Sequence, residues 1–72
     1  MKTIHLQFVG SVNAKPYSSV VVGDKLQYNH GDVYMVEAVR DASKQFVEID
    51  QRSPKGVVYT NRYKKTKLVG LA

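Results

Sequence analysis

Hydrophobic and polar residues alternate along much of this chain, and the alternation predicts strands. Ile4, Leu6 and Phe8 alternate with polar neighbours, which predicts a first strand over residues 2–9. Residues 33–39 form the most apolar run, and their β-branched and aromatic content favours a strand over a helix. The same reasoning predicts further short strands over residues 20–22, 25–28, 45–50, 57–60 and 68–71.

Turn-forming residues separate these segments. Residues 10–19 are rich in Gly, Ser, Asn and Pro and predict a loop, and residues 29–32 predict a turn in which Gly31 takes a positive φ. Residues 41–44 separate two apolar segments and predict the loop of a hairpin. Residues 61–67 are compatible with one helical turn or a charged loop.

The spacing of these strands predicts an all-β fold, a small barrel or sandwich of five or six strands. Closure of such a sheet would remove its exposed edges. The length of 72 residues allows one domain, residues 1–72. The hydrophobic residues expected to form its core are Ile4, Leu6, Phe8, Val20, Val22, Leu26, Val36, Val47, Ile49, Val58 and Leu68.

Three segments carry a resemblance to a known family of folds: residues 22–26 (VGDKL), 31–39 (GDVYMVEAV) and 46–49 (FVEI). Their order resembles that of small SH3-like barrels of the KOW and Tudor-like type, over about residues 20–71. The resemblance implies an SH3-like barrel of five to six short strands with at most one helical turn near the C-terminus. Folds of this type host nucleic-acid binders, peptide binders and inhibitors, so function has to be argued from the surface.

Composition argues against catalysis and bound cofactors. The chain has no cysteine, and its two histidines, His5 and His30, have no ligand spacing that predicts a metal site. No serine lies in a nucleophile motif, and no glycine-rich phosphate loop is present in the sequence. We therefore expect a binding module that is not an enzyme and needs no cofactor or metal. Without a signal-peptide pattern or an apolar run of spanning length, we expect a soluble cytoplasmic protein that does not contact membrane.

The positive charge is concentrated in the last third of the chain. Residues 1–50 carry a net charge of −1, whereas residues 51–72 contain six basic residues and no acid. Lys and Arg neutralise phosphates, and tyrosine rings stack on unpaired bases. We therefore expect single-stranded or irregular nucleic acid, rather than a duplex read by sequence, to bind Arg52, Lys55, Tyr59, Arg62, Tyr63, Lys64, Lys65 and Lys67.

Two other interpretations of the same residues stay open. The net charge can serve solubility alone, and a Ser-Pro turn between Arg52 and Lys55 also resembles the basic turns of some minor-groove binders. The alternative function is a protein–protein interaction module or inhibitor that binds an acidic protein surface, in general character similar to accessory proteins of bacteria and phages. Five tyrosines in so short a chain favour it, because Tyr and Arg are enriched at interface hot spots.

Overall fold

The computed structural model describes residues 2–72, which form one antiparallel sheet of seven strands and one short 3-10 helix. The all-β class predicted from the sequence is confirmed. The elements are β1 (Lys2–Leu6), β2 (Gly10–Pro16), the 3-10 helix (Tyr17–Ser19), β3 (Lys25–Gln27), β4 (Val33–Asp41), β5 (Phe46–Arg52), β6 (Val58–Lys64) and β7 (Leu68–Leu71). The strands lie side by side in the order β1-β2-β7-β3-β4-β5-β6.

The meander β4-β5-β6 includes the most apolar run of the sequence, which forms β4. β4 and β5 pair antiparallel across residues 42–45, so the predicted hairpin is confirmed. The register shifts between Val36 and Ala38, which places a bulge in β4. The turn before β4 contains Gly31 at a φ of 84°, as the sequence predicts, because this left-handed conformation is costly for residues with a side chain.

The N-terminal region contains a strand where the sequence predicts a loop. The prediction of a loop over residues 10–19 is wrong, because residues 10–16 form β2, which pairs with both β1 and β7. The first strand ends at Leu6 rather than at residue 9, and Gln7, Phe8 and Val9 form the turn between β1 and β2. The number of strands is therefore seven, against the five or six predicted.

Two local predictions of secondary structure are also wrong. Residues 20–22 form no strand, because they follow the 3-10 helix directly and lead into a turn at Gly23. No helix forms over residues 61–67, since β6 continues to Lys64 and a turn then leads into β7. Within residues 2–72 the helical turn lies at Tyr17–Ser19, in the N-terminal half of the chain rather than in the C-terminal segment where the sequence allows one.

β7 lies between β2 and β3 and joins the two ends of the sheet. Gly70 is buried at this point, and a Cβ atom there would lie 2.9 Å from the carbonyl oxygen of Gln27 and 2.9 Å from Cγ2 of Val12. Such distances are shorter than real Cβ contacts, so a glycine is required for the strands to approach this closely. The small residue therefore fixes how tightly β7 packs between its neighbours.

The core forms on one face of the sheet. Six residues predicted to be buried are buried, namely Leu6, Val20, Leu26, Val36, Val47 and Ile49, together with Ala14, Tyr17 and Val69. Ile4 and Leu68 are half-buried. The predictions for Phe8, Val22 and Val58 are wrong, since these side chains are 67%, 64% and 43% exposed. Phe8 lies in a turn, Val22 follows the 3-10 helix, and Val58 faces away from the core.

Residues 2–72 include no helix that has both the length and the apolar character needed to cross a bilayer.

Candidate functional site

Strand β6 carries most of the residues predicted to bind nucleic acid, and its pleat separates them onto two faces. Tyr59, Asn61 and Tyr63 pair with Gln51, Ile49 and Val47 of β5, so they lie on the inner face, which carries the core. Thr60, Arg62 and Lys64 lie on the opposite, outer face. The predicted site is therefore divided between two surfaces.

The outer face holds a network of ion pairs. Arg40 donates hydrogen bonds to Glu48 at 3.0 Å and to Asp50 at 2.8 and 3.1 Å, and Arg62 donates to the other oxygen of Glu48 at 3.2 Å. Hydrogen bonds from Arg40 lower the pKa of Glu48 and of Asp50, with smaller contributions from Arg62 and Thr60. Arg62 is therefore engaged with an acid of its own chain.

Three of the six predicted basic residues have acidic partners and three do not. Besides Arg62, Arg52 lies 2.8 Å from Glu37, and Lys65 lies 2.9 Å from Asp41. Across residues 2–72 no ion pair involves the other three, Lys55, Lys64 and Lys67. Lys55 lies in the turn before β6, and Lys64 ends that strand, so two uncompensated charges lie at its two ends.

Tyr63 is held in place by contacts within the protein. Its ring stacks on Tyr17 of the 3-10 helix with centroids 4.0 Å apart and parallel planes. Its hydroxyl accepts a hydrogen bond of 2.8 Å from Nε2 of Gln51. Because the Tyr17 side chain covers one face of its ring, that face of Tyr63 cannot stack on a base. Tyr63 therefore contributes to packing within the protein.

Gln51 connects three tyrosines beneath the inner face. Its Oε1 accepts a hydrogen bond of 2.7 Å from the hydroxyl of Tyr28, and the Tyr28 hydroxyl lies 3.4 Å from that of Tyr17. Gln51 is only 2% exposed, so these bonds satisfy a polar side chain that burial would otherwise penalise. Burial raises the pKa of Tyr17 to about 12 and the pKa of Tyr28 well above its ordinary value. Both phenols therefore stay protonated.

An open cavity lies above this network, and we call it the tyrosine cavity. It has a volume of about 320 Å³ and is lined by Tyr28, His30, Asp32, Tyr34, Gln51, Tyr59, Asn61 and Tyr63. Tyr34 and Tyr59 form two of its walls, with ring centroids 6.3 Å apart and planes tilted by 49°. The rings of Tyr28 and Tyr34 are nearly perpendicular, with centroids 5.2 Å apart. Tyr59 is 48% exposed, so one wall of the cavity is open to solvent.

A smaller cleft, of about 250 Å³, adjoins the tyrosine cavity and brings a lysine next to it. The cleft shares Asp32, Tyr34 and Tyr59 with the cavity and adds Lys55 and the Ser53-Pro54 turn. Residues 2–72 contain no group of three or more acidic or histidine side chains placed to hold a metal ion. The arrangement is thus suited to binding through rings, amides and one nearby cation.

The structure brings together only some of the predicted site residues. Tyr59 and Tyr63 line the cavity and Lys55 lies beside it, whereas Arg52, Arg62, Lys64 and Lys65 lie elsewhere on β5, β6 and the turn after β6. Lys67 lies at a separate cleft near Tyr17. Sequence reasoning missed Tyr28, Tyr34 and Asn61. The alternation of Tyr59, Asn61 and Tyr63 along one strand was the available signal, because it places all three on one face.

Comparison of the chain with protein-family models, with curated proteins and with solved structures finds no match in any of the three.

Proposed function

We propose that this protein is not an enzyme but a binding module, which binds single-stranded or irregular nucleic acid along β6. The observation that supports this most is the exposed ring of Tyr59, which forms a wall of the tyrosine cavity directly beside Lys55. An accessible aromatic ring next to an uncompensated cation is the pairing that single-strand binders use, with the ring for a base and the cation for a phosphate.

The ion pairs within the protein indicate which basic residues contribute most to phosphate binding. Arg52, Arg62 and Lys65 already face acids of the same chain, so displacing those acids would offset part of what a phosphate contact gains. No acid has to be displaced before a phosphate contacts Lys55, Lys64 or Lys67, since no ion pair among residues 2–72 involves them. β6 itself is about 20 Å long, with Lys55 in the turn before it and Lys64 at its end, which is room for a short stretch of single strand rather than a long duplex.

An SH3-like barrel, of the KOW and Tudor-like type, and a cytoplasmic location remain parts of this proposal. The contact between Tyr17 and Tyr63 supports the barrel, because it joins the segment after β2 to β6, the last strand in the order of the sheet. Backbone hydrogen bonds from Tyr17 and Ser18 to the carbonyls of Lys67 and Lys65 add to the same junction. A sheet curled in this way would present its inner face as a groove.

The proposal is tested by fluorescence anisotropy with labelled single-stranded DNA, single-stranded RNA and duplex at two salt concentrations. We expect the single strands to bind more tightly than the duplex, with a log–log salt slope near −2 if three phosphates are neutralised. The double variant Lys55→Gln/Lys64→Gln should reduce that slope. Lys25→Gln, an exposed lysine on β3, is the matched control. Absence of binding to all three nucleic acids would refute the proposal.

The edge of the sheet favours a second function, a protein–protein interaction module or inhibitor. In the order of the sheet β6 has a neighbouring strand on one side only, and Val57 just before it and Val58 at its start are 49% and 43% exposed. An unpaired strand edge with apolar side chains can accept a strand from another protein. Affinity capture from nuclease-treated lysate distinguishes the two functions, because the neutral variant Val58→Gln should weaken capture of such a partner and leave nucleic-acid binding largely unchanged.

A further inference from the structure

The charged groups that line the tyrosine cavity indicate which part of a nucleotide can enter it. Its lining contains one carboxylate, that of Asp32, and no lysine or arginine. A phosphate placed there would be repelled by the carboxylate and would find neither a lysine nor an arginine to neutralise it. If nucleic acid binds along β6, its phosphates must therefore lie outside the cavity, near Lys55, and a different part of the nucleotide must fill it.

The walls of the cavity fit a flat unsaturated ring. Tyr34 and Tyr59 form a wedge, with ring centroids 6.3 Å apart and planes tilted by 49°, so a flat ring can stack on one of them and contact the other. The ring of Tyr28 packs against that of Tyr34 at nearly a right angle. Hydrogen bonds from Tyr28 and Gln51 hold the floor, so the cavity is formed before a ligand arrives. A volume of about 320 Å³ is at the small end for ligand sites, which suits one base rather than a larger molecule.

The polar groups of the lining define which base fits. Asp32 has no ion-pair partner among residues 2–72, and a carboxylate only accepts hydrogen bonds. Asn61 is exposed on the same inner face and can both donate and accept. A base with an exocyclic amino group offers the donor that Asp32 requires, as cytosine does through N4, whereas thymine or uracil presents a carbonyl at that position.

We infer that the tyrosine cavity binds one unpaired base with an exocyclic amino group, its ring against Tyr34 and Tyr59 and its amino group donating to Asp32. This inference rests on the proposed function and assigns Tyr34, Asp32 and Asn61 to the site. The remainder of the strand runs over the adjoining cleft, where Lys55 contacts the phosphate.

The test compares three labelled oligonucleotides of equal length: oligocytidine, oligouridine and an abasic strand that keeps every phosphate. The wild-type protein should bind oligocytidine about tenfold more tightly than the abasic strand, since stacking of a base on an aromatic ring has effects of this size. It should also prefer oligocytidine to oligouridine, because the two pyrimidines match in size and differ in the amino group. Quenching of tyrosine fluorescence should accompany the binding of oligocytidine.

Three variants locate the effect. Tyr34→Leu should remove most of the difference between oligocytidine and the abasic strand, and Asp32→Asn should remove the preference over oligouridine. Phe46→Leu, an exposed aromatic residue on the outer face, is the matched control and should change neither. Asn61→Ala alters an exposed side chain of the cavity lining. It should reduce the difference in affinity between oligocytidine and the abasic strand, and it tests the cavity should Tyr34→Leu fail to fold.

The experiment distinguishes failure of the cavity assignment from failure of the proposed function. Equal binding of oligocytidine and the abasic strand would overturn the cavity assignment while phosphate binding stands. Equal binding of oligocytidine and oligouridine would overturn the role of Asp32. Quenching by a quaternary ammonium salt but by no nucleotide would also overturn the inference, because tyrosine faces attract cations. If no oligonucleotide binds, the proposed function itself is refuted and the inference with it.

Discussion

At the scale of single residues, Gln51 shows how a polar side chain can shape a site from within the core. It follows Val47 and Ile49 on the inner face of β5, and it is as buried as they are. An apolar residue here would fill the same space but would leave the hydroxyls of Tyr28 and Tyr63 without their present partner. Gln51 therefore sets the positions of two rings of the tyrosine cavity.

The first stability prediction concerns the hydroxyl that Gln51 accepts from. Tyr28→Phe keeps the ring and removes the donor, so the buried Oε1 of Gln51 loses its 2.7 Å bond. We expect the free energy of unfolding to fall by about 1–3 kcal/mol, the cost of a buried unsatisfied acceptor. Urea denaturation followed by circular dichroism measures it.

The neighbouring ring provides the control for that measurement. No side-chain hydrogen bond involves the hydroxyl of Tyr34 within the described residues, and its ring contacts that of Tyr28. Tyr34→Phe should therefore change the stability by less than about 0.5 kcal/mol. An equal loss of stability in both variants would show that the bond to Gln51 is not what Tyr28 contributes.

At the scale of elements, the outer face of β4-β5-β6 is stabilised by charge and makes the sheet sensitive to acid. The pKa of Glu48 and of Asp50 is lowered, chiefly by hydrogen bonds from Arg40. Groups whose pKa is lower in the folded state stabilise that state above their ordinary values, which are 4.5 and 3.8 here, and this contribution is lost as the pH falls through the folded values.

Arg40→Gln should therefore reduce the dependence of stability on acid pH. We expect the midpoint of urea unfolding to drop from about pH 7 to about pH 3 in the wild type, and to drop less in the variant. Lys64→Gln removes an outer-face cation that is in no ion pair among residues 2–72, and it serves as the control. An undiminished pH dependence in Arg40→Gln would contradict the role of this network.

The elements also show which parts of the fold a sequence can predict. The hairpin of β4 and β5 was predictable because β4 is a long apolar run, β5 alternates and the loop between them is polar. β2 was not, because Gly10, Pro16 and the polar residues between them favour a loop, and the small side chain of Ala14 gives little hydrophobic signal although it is buried. Val69 and Tyr17 were missed for a related reason, since their burial depends on partners distant in the chain.

The candidate site was predictable in part for the same physical reasons. Tyr59, Tyr63 and Lys55 were identified because they share one strand and one turn. Tyr28 directly follows β3 and Tyr34 lies near the start of β4, and only the pairing of β4, β5 and β6 brings them opposite Tyr59. The neutralisation of Arg52 and Arg62 depends on acids 15 and 14 residues away along the chain, which composition cannot reveal.

At the scale of the whole molecule, Tyr17 connects segments far apart in sequence. It is 2% exposed, stacks on Tyr63, and its backbone N–H donates to the carbonyl of Lys67. Tyr17→Ala should lower the free energy of unfolding by about 3–5 kcal/mol, which is most of the stability of a domain this small. Thermal unfolding followed by circular dichroism measures the loss.

Tyr59→Ala removes a ring of the same kind from an exposed position and is the control for Tyr17→Ala. It should cost less than about 1 kcal/mol. A comparable loss of unfolding free energy in the two variants would contradict the role assigned to the stack of Tyr17 on Tyr63. It would show that removing any tyrosine ring has the same effect.

The place of β7 between β2 and β3 has a consequence for how the protein is made. The last strand in the chain supplies the edge on which both the N-terminal hairpin and the β3-β4-β5-β6 sheet pair. During synthesis, the nascent chain can form its two hairpin regions early but cannot join them until residues 68–71 have left the ribosome. Pairing over such long separations is also slow. The molecule thus reaches its native state after translation of β7, and until then β2 and β3 each lack the strand that pairs with them in the native sheet.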